Sequence, residues 1–139
     1  MASIRKEILT HARPEDVWAA LRDIGALHTR LVPGFVVDTK LDGDTRVVTF
    51  GNGMVAREPI LEINDQTRRV AWAAVGGQLT HYNASAQVFA EPDGSSRIVW
   101  LADFLPHETA TVIDGMMTEG ARVMKDTLDR LAVHAHAGR

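Results

Sequence analysis

The chain has 139 residues, enough for one domain with a sizeable core, and 45% of them are apolar while 24% are charged. This composition excludes a disordered or fibrous protein. The formal charge is -3 with the charges scattered, which argues against a nucleic-acid partner because phosphate binding needs a concentrated basic face. The absence of cysteine excludes disulfides, thiolate nucleophiles and cysteine-ligated metal sites.

The sequence shows no signal for export or membrane insertion. The segment from Met1 to Glu7 lacks the apolar centre of a signal peptide, and no run approaches the ~18 apolar residues of a membrane span. We therefore expect a cytoplasmic protein that forms a single domain over residues 1–139.

The first elements are predicted to be a strand followed by two short helices. Alternating apolar and polar residues indicate a strand from Ile4 to Thr10. Pro14 suits the first position of a helix, where Glu15 and Asp16 complement the helix dipole. A second short helix is expected from Ile24, capped by Asp23, to about Leu31, because Pro33 follows.

Six β-rich runs follow, separated by short turns rich in glycine, asparagine and aspartate. Turns this short join antiparallel strands. The predicted strands are 35–41, 45–50, 55–64, 69–75, 79–91 and 96–105. From about Glu108 the apolar period changes to that of a helix of roughly 25 residues, with one apolar stripe from Ile113 to Leu131.

Several short motifs coincide with these elements. They are the helix start Ala12–Trp18, the Pro33–Gly34 pair after the second helix, Glu58 on the strand that ends at Asn64–Asp65, and Arg97–Trp100 followed by Phe104 and Pro106. With the order of elements, they resemble the START/birch-pollen-allergen-like (SRPBCC) superfamily, and within it the bacterial polyketide cyclase/dehydrase and lipid-transport group. The resemblance implies an α+β helix-grip fold, in which a curved seven-stranded antiparallel sheet surrounds the long C-terminal helix and encloses a pocket.

The sequence is also similar to plant abscisic acid receptors, whose pocket residues correspond to Glu58, Trp72 and Tyr82 here. By that similarity, the loop from Gly51 to Met54 would form a lid over the pocket. The receptors' carboxylate-binding lysine is replaced by Val32–Pro33, so a hormone-receptor role is not implied.

Strand and helix periodicity predicts which side chains face the pocket. The expected floor consists of Trp72, Tyr82, Ala84, Ala86 and Trp100, and Met116, Met117, Gly120 and Met124 are expected on the helix. The small alanines favour a cavity, although a closer approach of the helix would fill the same space. The tryptophans and methionines are equally compatible with ordinary core packing.

Three residues are candidates for acid–base chemistry. Glu58 shares strand parity with Ala56 and Ile60, so we expect it to be the only charged group in the pocket, with a pKa raised by burial. Tyr82 offers a hydroxyl, and His28 is expected near the pocket mouth. The histidines show no metal-binding spacing, and neither a metal nor a cofactor is expected.

The leading hypothesis is the binding of a small hydrophobic or aromatic metabolite, of lipid or polyketide type, in the internal pocket. The alternative is an enzyme similar to polyketide cyclases or dehydratases, with Glu58, Tyr82 and His28 in general acid–base roles. A third hypothesis is an interaction module or a homodimer that uses the outer sheet face, where Val99, Leu101 and Leu105 are predicted to lie.

Overall fold

A computed structural model describes residues 1–137, with side chains through residue 134. In that part of the chain, seven strands form one sheet, and two helices and two short helical turns complete the fold. The strands are β1 Ala2–Thr10, β2 Val36–Asp42, β3 Thr45–Phe50, β4 Val55–Asn64, β5 Arg69–Ala73, β6 His81–Ala90 and β7 Ser96–Leu105. The helices are α1 Pro14–Arg22 and α2 Ala110–Ala137, and the turns are Leu27–Leu31 (π) and His107–Thr109 (3₁₀).

The sheet order is β1-β7-β6-β5-β4-β3-β2, and every neighbouring pair is antiparallel. The first strand therefore pairs with the last, with Ala2 opposite Phe104. The curved sheet holds α2 along its length, and Met117, Met124 and Leu128 of α2 belong to the same buried cluster as the strands. The predicted helix-grip fold is confirmed.

The helix α1 begins at the residue that the sequence indicates. Pro14 occupies its first turn together with Glu15 and Asp16, where the dipole favours acidic side chains. Its buried face includes Val17 and Leu21, which join the core. The apolar spacing of this segment therefore determines which side of the helix meets the sheet.

The second short helix is only partly as predicted. It is a five-residue π-helical turn that begins at Leu27 rather than Ile24. Asp23 ends α1 instead of capping a new helix, and its carboxylate accepts a hydrogen bond from Arg30 at 2.9 Å. Gly25 lies between the two elements, and glycine disfavours a continuous helix at this point.

The helix α2 is longer than its predicted 25 residues, with 28 residues that follow directly on the 3₁₀ turn. Despite this length, it is not apolar enough to cross a membrane, and no other helix within residues 1–137 is both long and apolar enough to do so.

Candidate functional site

The sheet, the π-helical turn and α2 enclose an internal cavity of about 150 Å³. Its walls are mainly aliphatic and aromatic side chains from β2 to β7 and from the first half of α2. The predicted pocket residues that line it are Glu58, Trp72, Tyr82, Ala86, Trp100, Met116, Met117 and Met124. The sequence-based expectation of an internal space therefore agrees with the structure, and the residues' role in ligand binding stays a prediction.

Two residues that the sequence places in the pocket lie outside the cavity lining. Ala84 is a core residue that pairs with Trp72 and Ala102 on the neighbouring strands. Gly120 lets aromatic side chains approach the helix, because a Cβ atom there would lie 3.1 Å from both Phe35 and Trp100. Because position 120 has no side chain, the rings of Phe35 and Trp100 can pack directly against the helix beside the cavity.

One row of residues crosses the sheet beneath the cavity and carries most of its polar groups. Arg46 on β3 pairs with Glu58 on β4, and Tyr82 on β6 pairs with Phe104 on β7. Between Glu58 and Tyr82 lies Ala74, whose amide donates a hydrogen bond to the Tyr82 carbonyl. Ala74 also lines the cavity, so the smallest side chain of this row lies between the carboxylate and the phenol ring.

The Arg46–Glu58 ion pair corrects the expectation that Glu58 is the only charged group in the pocket. Arg46 is 3% exposed and Glu58 is 8% exposed. The guanidinium reaches Glu58 Oε1 with Nε at 3.0 Å and Nη2 at 2.8 Å, and it also lies 5.3 Å from the centre of the Trp72 ring. The sequence could have indicated that Arg46 faces the cavity, because Arg46 alternates along β3 with the cavity residues Val48 and Phe50, which places all three on one face of the strand.

Burial shifts the pKa of two of the three candidate acid–base groups. Desolvation raises the pKa of Glu58, and the neighbouring Arg46 charge opposes that rise. Burial also raises the pKa of Tyr82, and the negative charge of Glu58 raises it further. Tyr82 therefore keeps its proton at neutral pH and can donate a hydrogen bond.

Several polar atoms at the site make no hydrogen bond within the described residues. Both contacts of Arg46 go to Glu58 Oε1, which leaves Oε2 without a donor. The Tyr82 hydroxyl makes no hydrogen bond, although its ring stacks on Phe104 with centroids 6.2 Å apart. Trp100 Nε1 is fully buried and unpaired. The site thus offers unused hydrogen-bonding capacity at the cavity.

His28 does not line the cavity. It lies on the π-helical turn, and its Nδ1 is 3.1 Å from the Thr39 hydroxyl on β2. The residues of the turn that do reach the cavity are Leu27 and Leu31. His28 was expected at the pocket mouth. The structure instead places it in a contact between the turn and the sheet.

The loop predicted to act as a lid borders the cavity together with two phenylalanines that the sequence analysis missed. Phe35 and Phe50 pack edge to face with centroids 5.5 Å apart, and both line the cavity and an adjoining surface groove. The Gly51 amide donates to the Phe35 carbonyl at 2.9 Å, and a Cβ atom at Gly51 would lie 2.5 Å from the Gly34 oxygen. Close backbone contact therefore holds the loop from Gly51 to Met54 against the segment that contains Gly34 and Phe35.

Within residues 1–137, no group of three or more histidine, aspartate or glutamate side chains is arranged to hold a metal ion.

The amino-acid sequence of the chain matches one known protein family over almost its whole length. The model of the family described as "Polyketide cyclase / dehydrase and lipid transport" matches residues 1–136. The chain belongs to this family. A search of curated proteins finds no match.

Solved structures share the fold at low sequence identity. The protein XoxI from Bacillus cereus is 20% identical with a TM-score of 0.82, over 92% of this chain and 96% of that one. A Thermobifida fusca protein solved by NMR is 24% identical with a TM-score of 0.78, over 95% and 93% of the two chains. Norcoclaurine synthase from Thalictrum flavum, in complex with dopamine and hydroxybenzaldehyde, is 20% identical with a TM-score of 0.74, over 96% and 87%.

Proposed function

We propose that this member of the family binds a small hydrophobic or aromatic metabolite, of lipid or polyketide type, in the internal cavity. The observation that carries the proposal is a cavity with mainly apolar walls whose polar side chains, among the described residues, are one ion pair, one tyrosine and two tryptophans. Binding sites for small molecules have this character, with an apolar surface and few polar groups that orient the ligand.

Calorimetric titration with toluene and naphthalene, together with native mass spectrometry of the purified protein, tests the proposal. We expect saturable binding by the parent protein and its loss in Ala86→Leu, because the added side chain fills the cavity from its floor. If neither probe nor a lipid extract binds saturably and no small molecule copurifies, the proposal is wrong.

A second candidate function is general acid–base catalysis similar to that of polyketide cyclases or dehydratases. The raised pKa of Glu58 and the position of Tyr82 across Ala74 favour it. With a verified substrate, Glu58→Gln should lower kcat by roughly 10²- to 10⁴-fold. Parental turnover by that variant would exclude Glu58 as the acid–base residue.

The cytoplasmic location, the homodimer and the lack of a nucleic-acid partner stay predictions. On the outer sheet face, Val99 is buried and Leu101 is exposed, so the apolar surface there is smaller than the sequence suggests. Solution scattering at several protein concentrations tests the homodimer.

A further inference from the structure

We infer that the cavity selects a neutral ligand about one aromatic ring in size that bears a hydroxyl group, and that it rejects a carboxylate of the same shape. This inference rests on the proposed binding function and assigns the chemical class of its ligand. Three features of the site carry it: the charge balance of the lining, the two unpaired oxygens, and the size of the cavity.

The charge balance of the lining disfavours a ligand carboxylate. Arg46 is the one cationic side chain among the described lining residues, and its contacts at 3.0 and 2.8 Å both go to Glu58. A ligand carboxylate would have to share Arg46 with Glu58 and would meet the negative charge of Glu58 in a buried, weakly screened environment. A ligand ammonium would have to share Glu58 with Arg46, and the cost of removing its charge from water would remain.

The two unpaired oxygens match the hydrogen-bonding pattern of a hydroxyl group. Glu58 Oε2 can only accept while ionised, and the Tyr82 hydroxyl can donate and accept. A ligand hydroxyl placed above Ala74 would donate to Glu58 and accept from Tyr82. The two residues lie on strands two apart in the sheet, so their backbones are roughly 9–10 Å apart, and both side chains line the cavity on either side of Ala74.

The volume of the cavity limits the ligand to a small molecule. An apolar cavity of about 150 Å³ accommodates a molecule about the size of benzene. Phe35, Phe50 and Met116 line both the cavity and the surface groove, so a substituent on a ligand seated here by its ring can extend past these side chains toward the groove.

A panel of four ligands of matched shape separates the contributions: toluene, p-cresol, 4-methylanisole and 4-methylbenzoate, titrated calorimetrically at pH 7. A hydrogen bond to a charged acceptor is worth roughly a 10- to 100-fold change in affinity. We therefore expect p-cresol to bind at least about 10-fold more tightly than 4-methylanisole, and 4-methylbenzoate to show no saturable binding where p-cresol saturates.

The variant Tyr82→Phe provides a second, independent readout. It removes the hydroxyl and keeps the ring that stacks on Phe104. We expect it to weaken p-cresol binding by roughly 2- to 10-fold and to leave toluene binding unchanged, because toluene makes no hydrogen bond. Equal losses for both ligands would show a packing role only and would overturn the role given to the Tyr82 hydroxyl.

The outcomes distinguish this inference from the proposed function. If p-cresol and 4-methylanisole bind equally, or if 4-methylbenzoate binds most tightly, the hydroxyl selectivity is wrong while the binding function stands. If none of the four ligands binds but naphthalene or a lipid extract does, the assigned ligand class is wrong while the binding function stands. If nothing binds and no small molecule copurifies, the binding function itself is wrong.

Discussion

The ion pair between Arg46 and Glu58 differs energetically from the ion pairs on the surface. Both of its members are buried, so removing one leaves the other charge without a partner away from water. A nearby comparison is the pair between Arg57 on β4 and Asp42 on β2, which has the same kind of contact at 3.0 Å but two exposed side chains. The two pairs separate the effect of burial from the effect of contact geometry.

We expect Arg46→Met to lower the free energy of unfolding by about 3–5 kcal/mol, because it leaves Glu58 buried and unpaired. The control Arg57→Met should cost at most about 1 kcal/mol, as is usual for an exposed pair. Urea denaturation measures both values. Equal losses in the two variants would contradict the account of the buried pair.

The raised pKa of Glu58 gives the protein a pH-dependent contribution to stability. A carboxyl group with a higher pKa in the folded state contributes stability that is fully present below its unfolded pKa, near 4.5. That contribution is lost as the pH rises through the folded value. Carboxyls such as Asp65 and Glu119 behave oppositely, since their arginine partners lower their pKa.

Comparing the parent protein with Glu58→Gln separates the pH-dependent contribution of Glu58 to stability from that of the other carboxyl groups. We expect the unfolding free energy of the parent, relative to that of Glu58→Gln, to be higher at pH 4 than at pH 7. Urea titrations of both proteins at the two pH values measure the difference. A difference that grows toward pH 7 would mean that Arg46 lowers the pKa of Glu58 more than burial raises it.

At the residue scale, strand parity placed Glu58 and Tyr82 correctly but not their surroundings. Glu58 alternates with Ala56 and Ile60 along β4, and this pattern is enough to predict that its side chain faces inward, as it does in the structure. Arg46 also alternates with apolar residues, yet a charged residue in a strand ordinarily faces water, and only its partner on the next strand explains its burial. Pairing between strands is therefore the information that single-strand periodicity lacks.

At the element scale, α2 contains two glycines in contrasting environments. A Cβ atom at Gly115 would meet nothing within 4 Å, whereas one at Gly120 would lie 3.1 Å from Phe35 and Trp100. Helix propensity favours alanine over glycine by about 1 kcal/mol at either position. Only the packing against the sheet distinguishes the two sites.

We expect Gly115→Ala to stabilise the protein by about 1 kcal/mol. Gly120→Ala should be less stable than Gly115→Ala by at least about 1 kcal/mol, because the aromatic rings must move to admit the new methyl group. Thermal and urea denaturation of both variants measure this difference. Equal stabilisation by the two substitutions would contradict the close packing at Gly120.

The sequence predicted regular elements better than irregular ones. The strands β3, β4 and β7 begin and end where the sequence analysis placed them, because glycine- and asparagine-containing turns bound them. The π-helical turn and its late start at Leu27 were missed. A π turn depends on how Leu27 and Leu31 pack into the cavity wall, and local sequence rules do not contain that information.

At the scale of the whole molecule, the cavity results from packing between distant segments. Ala84 and Ala86 lie on the same face of β6, yet only Ala86 borders the cavity. The difference depends on which side chains of the other strands and of α2 cover each alanine. A sequence pattern therefore predicts that small residues face inward, and it does not predict where space is left.

The most direct test of the central claim is whether a ligand occupies the internal cavity. Of the five methionines, Met54, Met116, Met117 and Met124 line the cavity, and Met1 is 69% exposed at the start of the chain. In a methyl NMR titration of protein labelled with ¹³C-methyl methionine, p-cresol should shift the four cavity signals and leave Met1 unchanged. Saturating p-cresol that leaves all four cavity signals in place, or shifts Met1 alone, would contradict the account.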